Sequence, residues 1–496
     1  MDFHITLDGR GDLAAQVYRQ FLEAILDGRL RQGERLPPTR ELARSLGISR
    51  NTVGTAYERL TSEGLVAGRA GAGTFVSAGV RPRPRRAPSG GGRPRLFWRD
   101  MPEPEPYPEG FAYDFRTGTP DVHLFPLRTW RRLLARELRP SALTGYGTPE
   151  GHPALRAAIA RYFGTSRSVR ADAADVLVTQ GAQQALDLIG RVLVEPGARV
   201  AVEDPGYPPA RDLLRSLGAR VADVPVDGEG LRVDALPGDA RLVYVTPSHQ
   251  FPLGTPMSPA RRTALLEWAR RHDAMIVEDD YDSEFRYGGR PLQPLQSLDR
   301  DGRVIYVGSF SKTLLPALRT GFLVAPASLR PALRAAKRLT DWHGDPITQA
   351  ALARFIDEGL LARHIRRAGR EYAARRAQII AALDAHPGTA RVPSAAGLHL
   401  CVEGAGLDAL VAPAAEAGIA VESLARYCTA ARREGLVIGF GAVSADRAAA
   451  GARRLLGMID DRLSTISPPA SDRHPRPASI EAWSRNPSPG SGPATA

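Results

Sequence analysis

The stretch Tyr306-Val307-Gly308-Ser309-Phe310-Ser311-Lys312-Thr313 contains one of only two lysines in a chain of 496 residues that carries 64 arginines. Arginine cannot be deprotonated in a protein, whereas a lysine amine can be neutralised by its surroundings and attack a carbonyl. A lysine kept at position 312 therefore indicates chemistry of the Schiff-base kind. Composition alone leaves open a leftover surface lysine, an interpretation that suits the second lysine, Lys337, better.

The region beyond about residue 110 alternates short apolar runs with segments of helical spacing. This pattern predicts an α/β domain with a mainly parallel sheet and helices on both faces. We expect strands over residues 176–179, 200–202, 242–245, 275–277 and 304–307. Each run ends in polar residues, and the ligands of such sheets gather at the carboxyl ends of the strands.

Those strand ends carry complementary groups. The run Glu278-Asp279-Asp280-Tyr281 offers a carboxylate and a phenol, although a solvated acidic loop is an alternative interpretation. Gly181-Ala182-Gln183 places free N–H groups at a helix N-terminus, which favours a phosphate, although such a turn alone is a weak signal. Ser309 and Arg319 flank the lysine as donors for a dianion, and Tyr207 adds an aromatic surface. Together these groups are what pyridoxal phosphate requires.

In this order, the chain from about Asp114 to Asp461 resembles a fold-type I aminotransferase with a smaller C-terminal α+β part. Its most specific signature is Ser309-Phe310-Ser311-Lys312 followed by Arg319-Thr320-Gly321. The resemblance implies that Lys312 is the Schiff-base lysine and catalytic residue, Asp279 the partner of the pyridine nitrogen, Tyr281 a ligand of the ring hydroxyl, Tyr207 the stacking aromatic, and Ala182, Gln183, Ser309 and Arg319 the phosphate ligands. It also implies a homodimer in which Tyr146 reaches the phosphate of the neighbouring subunit.

Two departures from that family affect the site. The family's Asn-Pro-Thr-Gly is replaced by Gln250-Phe251-Pro252-Leu253-Gly254, so the asparagine that touches the ring oxygen is missing. His249 or Gln250 could substitute for it, and a structural histidine is an equal alternative. The late arginine that holds a substrate carboxylate has no match in the apolar run 436–440, and the upstream candidates are Arg426, Arg432 and Arg433.

The N-terminal segment has the pattern of three helices followed by a hairpin. Apolar residues recur at helical spacing over residues 13–30, Thr39 can cap a second helix that Gly47 ends, and Ser49 can cap a third. Apolar runs around a glycine-rich bend over residues 65–76 predict a wing. Two short helices separated by a tight turn match a helix-turn-helix, whose second helix enters a major groove.

Several strings make this interpretation more specific: Gly33-Glu34-Arg35-Leu36-Pro37, Thr39-Arg40-Glu41-Leu42-Ala43, Ser49-Arg50-Asn51-Thr52-Val53 and Gly71-Ala72-Gly73-Thr74-Phe75-Val76. Together they resemble the GntR-type winged helix over nearly all of residues 9–78. The resemblance implies DNA contacts by Arg40 and Arg50, with Arg69 and the wing near the minor groove. Helical periodicity also directs Asn51 and Thr52 outward.

Composition excludes several other classes of protein. Two cysteines, Cys401 and Cys428, are too few for a disulfide framework or a zinc site of the usual spacing, and we expect no metal. The sequence contains no signal peptide or membrane span, so we expect a cytoplasmic protein. The net charge is +12, and residues 81–100 hold seven arginines against one aspartate, which predicts an exposed basic linker.

The two halves together resemble the MocR family of transcription regulators. Thr246-Pro247-Ser248-His249-Gln250-Phe251-Pro252 and the run from Glu278 to Tyr287 are typical of that family. The predicted order is a DNA-binding domain over 1–78, a Pro/Gly-rich linker over 79–110, a cofactor-binding domain over 111–465 and a disordered tail over 466–496.

The resemblance implies a regulator in which pyridoxal phosphate at Lys312, and an amine or amino acid effector, switch the binding of promoter DNA. The alternative is a catalytically active aminotransferase with an appended DNA-binding domain, and residual transamination is compatible with both. A cofactor-free DNA-binding protein is disfavoured because the full cofactor set is present.

Overall fold

The computed structural model describes residues 5–8, 11–77, 90–103, 110–139, 145–288, 292–386 and 389–466. The chain divides into two compact units, Met1–Arg95 and Leu96–Ala496, and each is described by itself. The predicted tail from residue 467 onward and residues 79–89 of the predicted linker lie outside the described residues.

The first unit contains three helices and a two-stranded hairpin, as predicted. Their bounds are α1 Leu13–Leu26, α2 Thr39–Leu46, α3 Arg50–Ser62, β1 Val66–Arg69 and β2 Gly73–Val76. Ser49 caps α3 by accepting a hydrogen bond from the Thr52 amide, as predicted. Thr39 is the first residue of α2, and the preceding Pro38 makes no side-chain cap, so the predicted threonine cap is wrong. Gly47 ends α2 in the left-handed conformation at φ 65°, which favours glycine.

The core of this unit lies between α1 and α3. The residues of α3 predicted to face inward, Val53, Ala56, Tyr57 and Leu60, are all buried. The ring of Phe21 on α1 meets that of Tyr57 edge to face at 5.4 Å between centroids. Burial of each large apolar side chain contributes about 1.5–3 kcal/mol, so this contact fixes α3 on α1.

The second unit contains a larger set of elements. Its helices are α4 Leu96–Asp100, α5 Leu127–Glu137, α6 Pro153–Arg167, α7 Ala182–Leu193, α8 Pro208–Ser216, α9 Pro259–Arg271, α10 Leu295–Leu298, α11 Arg330–Asp341, α12 Pro346–Asp357, α13 Leu360–Asp384, α14 Val411–Glu416 and α15 Ala445–Ile466. Its strands are β3 Tyr113–Asp114, β4 Val176–Thr179, β5 Arg199–Asp204, β6 Arg220–Asp227, β7 Gly230–Leu231, β8 Ala240–Val245, β9 Met275–Asp280, β10 Val304–Ser309, β11 Gly321–Val324, β12 Ala390–Arg391, β13 His399–Glu403, β14 Ile419–Ala420, β15 Glu422–Ser423 and β16 Gly435–Gly439. Helix α4 lies within the predicted linker and buries none of its residues.

An eight-stranded sheet forms the centre of this unit, in the order β4-β11-β10-β9-β8-β5-β6-β7. The five predicted strands are β4, β5, β8, β9 and β10, and they run parallel, which confirms the mainly parallel sheet. Strand β11, which was not predicted, runs antiparallel between β4 and β10. Its first residue, Gly321, pairs with Ser309 and with Thr179, so the turn before β11 lies at the carboxyl edge of the sheet.

Helices cover both faces of this sheet, as predicted. Val176 and Val178 of β4 pack in a cluster with residues of α5, α6 and α12. Leu177 between them packs in a second cluster with residues of α7, α8 and α11. Because successive side chains of a strand point to opposite faces, the two clusters lie on opposite sides of the sheet.

The C-terminal part is a smaller α+β layer. Its antiparallel sheet has the order β12-β13-β16-β15, and α13 packs against α15. Strand β3 pairs with β14 through Tyr113 and Ile419, which joins the start of the unit to this layer. Among the described residues, every helix is too short or too polar to span a bilayer.

The second lysine does not fit its sequence interpretation. Lys337 on α11 is completely buried, and its amine forms an ion pair with Asp341 one turn later. The interpretation of Lys337 as a leftover surface lysine is therefore wrong, because a charged amine this deeply buried needs a partner.

Candidate cofactor site and DNA-binding face

A cavity of about 460 Å³ opens at the carboxyl edge of the eight-stranded sheet. Eight of the nine predicted cofactor residues line it: Lys312, Asp279, Tyr281, Tyr207, Ala182, Gln183, Ser309 and Arg319. They come from the ends of β4, β5, β9 and β10 and from the turn before β11. The parallel strands thus bring together side chains that lie more than one hundred residues apart in the sequence.

The amine of Lys312 is held by the backbone of a distant loop. Its Nζ donates a hydrogen bond to the Gly118 carbonyl at 2.7 Å. Burial lowers the pKa of Lys312, while Asp282 and Asp279 partly oppose that shift. A lowered pKa increases the neutral fraction of the amine, which is the form that attacks a carbonyl.

The close approach to Lys312 requires glycine at position 118. Gly118 has φ +76°, and a Cβ added there would lie 2.6 Å from Lys312 Nζ. Such a contact is far inside ordinary van der Waals distance. The sequence offered no signal for this residue, which lies 194 positions before the lysine.

Asp279 at the end of β9 presents an unpaired oxygen. Tyr244 donates to its Oδ2 at 2.8 Å, whereas the buried Oδ1 has no hydrogen-bond partner among the described residues. Burial raises the pKa of Asp279 to about 7. A protonated ring nitrogen would supply both a donor for Oδ1 and a positive charge that lowers this pKa. The buried, unpaired Oδ1 of Asp279 therefore fits the ring nitrogen of pyridoxal phosphate.

The phosphate end combines a cation, a hydroxyl and a helix N-terminus. Gly181, at φ +79°, precedes α7, and a Cβ there would lie 3.3 Å from the Arg319 guanidinium. Arg319 Nη2 donates to the Gln180 carbonyl at 2.8 Å, which fixes the guanidinium beside the turn. Ser309 Oγ accepts from the Ser311 amide at 3.1 Å, so its own proton is available to a ligand. This arrangement suits a dianion.

The two proposed substitutes for the missing asparagine do not line the cavity. Gln250 is buried, and its amide nitrogen donates to the carbonyl oxygens of Pro205 at 2.9 Å and Phe251 at 2.7 Å. Gln250 is therefore a structural residue, and its predicted contact with the ring oxygen is wrong. His249 Nδ1 lies 2.9 Å from Asp282 Oδ1, which supports the alternative of a structural histidine.

His249 also positions one of the predicted cofactor ligands. The Tyr281 hydroxyl donates to the His249 carbonyl at 2.9 Å and lies 3.0 Å from His249 Nδ1. His249, Asp282 and His399 are buried, with potential metal-ligand atoms within 4.8 Å of one another. Hydrogen bonds inside the protein engage all three, since His399 Nε2 lies 3.0 Å from the Pro252 carbonyl and Asp282 Oδ1 is bound to His249.

Phe251 stands where the family has its asparagine. It lines the cavity, and its ring lies 5.0–5.9 Å, between centroids, from four other rings, those of Tyr207, Tyr281, His399 and Tyr427. An apolar ring has thus replaced an amide that donates hydrogen bonds. The sequence showed the loss of the asparagine but did not indicate this aromatic cluster.

The candidates for a carboxylate-binding arginine differ in position. Strand β16, where the family arginine is expected, is buried along its whole length. Arg433 forms an ion pair with Glu403 at 2.7 Å, Arg432 is exposed, and neither lines the cavity. Arg426 does line it, with 68% of its side chain exposed and its guanidinium 3.7 Å from Glu422.

Tyr146 is the one predicted cofactor residue outside the cavity. It is 83% exposed, and its ring lies 5.4 Å from that of Trp342, which is also exposed. An exposed phenol beside an exposed indole suits a role at an interface between subunits. That role stays a prediction.

The predicted DNA contacts lie on the surface of the first unit. Arg40, Arg50, Asn51 and Arg69 are exposed. Thr52 is partly buried, and its hydroxyl lies 2.8 Å from Ser49 Oγ, so it also supports the start of α3. The Arg69 guanidinium stacks over the Phe75 ring at 4.8 Å, which holds the wing arginine on β2. Their contacts with DNA stay predictions.

Comparisons with known proteins match both units. Residues 113–436 match the family described as aminotransferase class I and II, and residues 13–76 match the gntR family of bacterial regulatory proteins. The probable rhizopine catabolism regulatory protein MocR of Rhizobium meliloti is 43% identical over 75% of this chain and 77% of that protein. The HTH-type pyridoxine biosynthesis transcriptional regulator PdxR of Corynebacterium glutamicum is 34% identical over 91% and 96%. A kynurenine aminotransferase from Pyrococcus horikoshii, solved with PMP, matches with a TM-score of 0.67 at 30% identity over 71% and 92%.

Proposed function

This chain belongs to the MocR family of transcription regulators, which join a gntR-type DNA-binding domain to an aminotransferase class I and II domain, and we propose that pyridoxal 5'-phosphate bound at Lys312 controls its binding to promoter DNA. The protein would act in the cytoplasm as a homodimer. An amine or amino acid effector would bind beside the cofactor and change the affinity for DNA.

The observation that carries this proposal is a single cavity that holds the main cofactor residues but lacks the substrate arginine of the related enzymes. Lys312, Asp279 and Arg319 line this cavity, in positions that suit an aldehyde, a ring nitrogen and a phosphate. Strand β16 carries no arginine for a substrate carboxylate, and Phe251 replaces the asparagine that touches the ring oxygen of the cofactor. A domain that keeps most of its cofactor residues and lacks the substrate arginine supports sensing over rapid turnover.

When bound, pyridoxal phosphate would supply an aldehyde carbon that reacts with primary amines. Lys312 would provide the amine that anchors the cofactor, and the Gly118 carbonyl accepts a hydrogen bond from its Nζ at 2.7 Å. Asp279 would hold the positive charge of the ring, and Arg319 with the N-terminus of α7 would hold the phosphate. The Tyr281 hydroxyl is held in place by its hydrogen bond to the His249 carbonyl.

The link to DNA rests on differential affinity. An effector can shift DNA binding only if it binds the DNA-competent arrangement more strongly or more weakly than the other arrangement. Two DNA-binding domains in one dimer raise each other's effective concentration, so repeated half-sites at a defined spacing are expected in the target promoter.

Two variants test the proposal in a crossed design. Lys312→Ala should lose the visible absorbance of the bound cofactor. It should keep the ability to bind DNA upstream of the protein's own gene, but the affinity should no longer change when pyridoxal 5'-phosphate is added. Arg50→Ala should keep that absorbance and lose at least tenfold in affinity for the same DNA, because it removes an exposed cation from the recognition helix. Arg19→Ala on α1, an equally exposed arginine outside α2 and α3, is the matched control.

The crossed design also defines what would refute the proposal. A wild-type protein that stays colourless in excess cofactor would refute the site. Rapid multiple-turnover transamination without promoter binding would instead support the enzyme alternative.

A further inference from the structure

The walls of the cofactor cavity carry more carboxylates than basic side chains. Besides Asp279, three carboxylates line the cavity: Asp212, Asp282 and Glu422. Apart from Lys312 and Arg319, which the cofactor would engage, Arg426 is the only lysine or arginine among the described residues that line it. An amino acid effector would bring its own carboxylate into a cavity that these acidic side chains already line.

Glu422 lies near the place where an effector amine would bind. Its Oε2 accepts a hydrogen bond from the Thr117 amide at 2.8 Å, and the next residue, Gly118, accepts from Lys312 Nζ at 2.7 Å. The carboxylate also acts electrostatically on Lys312. A ligand that takes the place of the lysine amine therefore enters beside Glu422.

The protein fixes this carboxylate in place. The side chain of Glu422 is only 13% exposed, and its carboxylate helps to raise the pKa of the Tyr427 hydroxyl, after burial as the main cause. Glu422 begins the short strand β15, which pairs with Val437 of β16. The acid thus lies directly beside the strand where the related enzymes carry an arginine.

The one remaining cation is poorly placed to bind a carboxylate next to the amine. Arg426 is 68% exposed, and its guanidinium lies 3.7 Å from Glu422, whose charge already offsets it. A carboxylate approaching Arg426 also approaches Glu422 and is repelled by it. A hydroxyl or an ammonium group in the same position would instead donate to Glu422.

Resting on the proposed function, we propose that the effector is a primary amine without a carboxylate on its amine-bearing carbon, and that it presents a hydroxyl or a second ammonium group to Glu422. The cavity would thus select amino alcohols or diamines over ordinary amino acids. Glu422 would be the residue that determines this specificity.

A set of three-carbon amines tests the inference on the full chain loaded with cofactor. The probes are propylamine, 3-amino-1,2-propanediol, 1,3-diaminopropane, β-alanine and L-alanine, each titrated while the cofactor absorbance is recorded. We expect the aminodiol or the diamine to bind at least tenfold more tightly than propylamine or L-alanine. A preference for the aminodiol would identify a hydroxyl as the recognised group, and a preference for the diamine would identify an ammonium.

Variants then separate the charge of Glu422 from its structural role. In Glu422→Gln the side-chain oxygen still accepts from the Thr117 amide, so the loop should stay in place, and the affinity of each probe is compared with that of propylamine for the same variant. In Glu422→Gln the preference for the diamine over propylamine should fall at least tenfold. In Glu422→Ala the preference for the aminodiol over propylamine should be lost. Arg426→Ala, the matched control at the same rim, should leave both preferences intact.

The opposite pattern would overturn the inference. Tightest binding of L-alanine or β-alanine, lost at least tenfold in Arg426→Ala, would mean that Arg426 holds a carboxylate. A cofactor spectrum that none of the five amines alters would also overturn it, while leaving cofactor-dependent DNA binding in place. A protein without cofactor absorbance would overturn the proposed function as well.

Discussion

Replacing Asp279 with asparagine should change cofactor affinity and apoprotein stability in opposite directions. The carboxylate is 4% exposed, accepts one hydrogen bond from Tyr244, and leaves Oδ1 without a partner among the described residues. In the cofactor-bound protein a ring N–H would pair with that oxygen. In the apoprotein the same charge is buried without a cation in contact.

The size of the stability effect follows from the pKa of Asp279. Burial raises it from an ordinary value of 3.8 to about 7. A difference of this size corresponds to about 4 kcal/mol of destabilisation once the group is ionised in the folded protein. The sign is that of a raised carboxyl pKa: stability is fully present below pH 3.8 and is lost as the pH rises through about 7.

Asparagine has the same shape and cannot ionise, so Asp279→Asn removes this pH-dependent loss. Near about pH 5 the wild-type apoprotein has lost only part of this stability, so the unfolding free energies of the two apoproteins should differ least at that pH. At about pH 8 the variant should be more stable by as much as about 4 kcal/mol. Cofactor affinity should fall by roughly a hundredfold or more, because the ring cation loses its buried partner.

Denaturant unfolding of the cofactor-free proteins, measured from about pH 5 to pH 8, gives the free energy of unfolding. Absorbance titration with pyridoxal phosphate gives the cofactor affinity. Glu203 and Glu278, which are buried, and Glu284, which is partly buried, also have raised pKa values. For this reason only the difference between variant and wild type reports Asp279. A stability difference that does not grow with pH, or a variant that keeps full cofactor affinity, would refute the reasoning.

Two further substitutions test the geometry around the cofactor. Gly118→Ala should lower cofactor affinity by about tenfold or more, because the new Cβ lies 2.6 Å from Lys312 Nζ and must displace the amine. Gly406→Ala, which has a similar φ of +73° and no atom within 4 Å of the added Cβ, should lose similar stability and keep the affinity; equal affinity losses would contradict the contact. Tyr146→Phe should weaken cofactor binding about fivefold when the protein is dimeric, since it removes one phenol donor. An equal loss in the monomer, measured by titration at high dilution, would argue against a contact across subunits.

The sequence was sufficient for the parts of the site that lie at strand ends. Lys312, Asp279 and Ala182 each follow or end an apolar run, and a run of that kind is what local pattern detects. The parallel sheet then brings the ends of those runs to one edge. For this reason eight of the nine predicted cofactor residues line one cavity.

Residues that reach the site from outside the sheet could not be predicted in this way. Gly118 follows β3 and Glu422 begins β15, and the hydrogen bond between Thr117 and Glu422 spans 305 positions. No local spacing marks either residue. Gln250 was misinterpreted for a related reason, since the fold alone brings it to its hydrogen-bond partner Pro205, 45 positions away.

The buried charge of Asp279 also gives the cofactor a means of acting on the fold. Anything that binds the native state alone stabilises it, and here the bound ring also removes the cost of an unpaired carboxylate. That carboxylate belongs to the next-to-last residue of β9, which is followed by Asp280, whose Oδ2 accepts from Arg167 at 2.8 Å, and by Tyr281, which is tied to His249. Cofactor binding would therefore act on the end of a strand that lines the cavity.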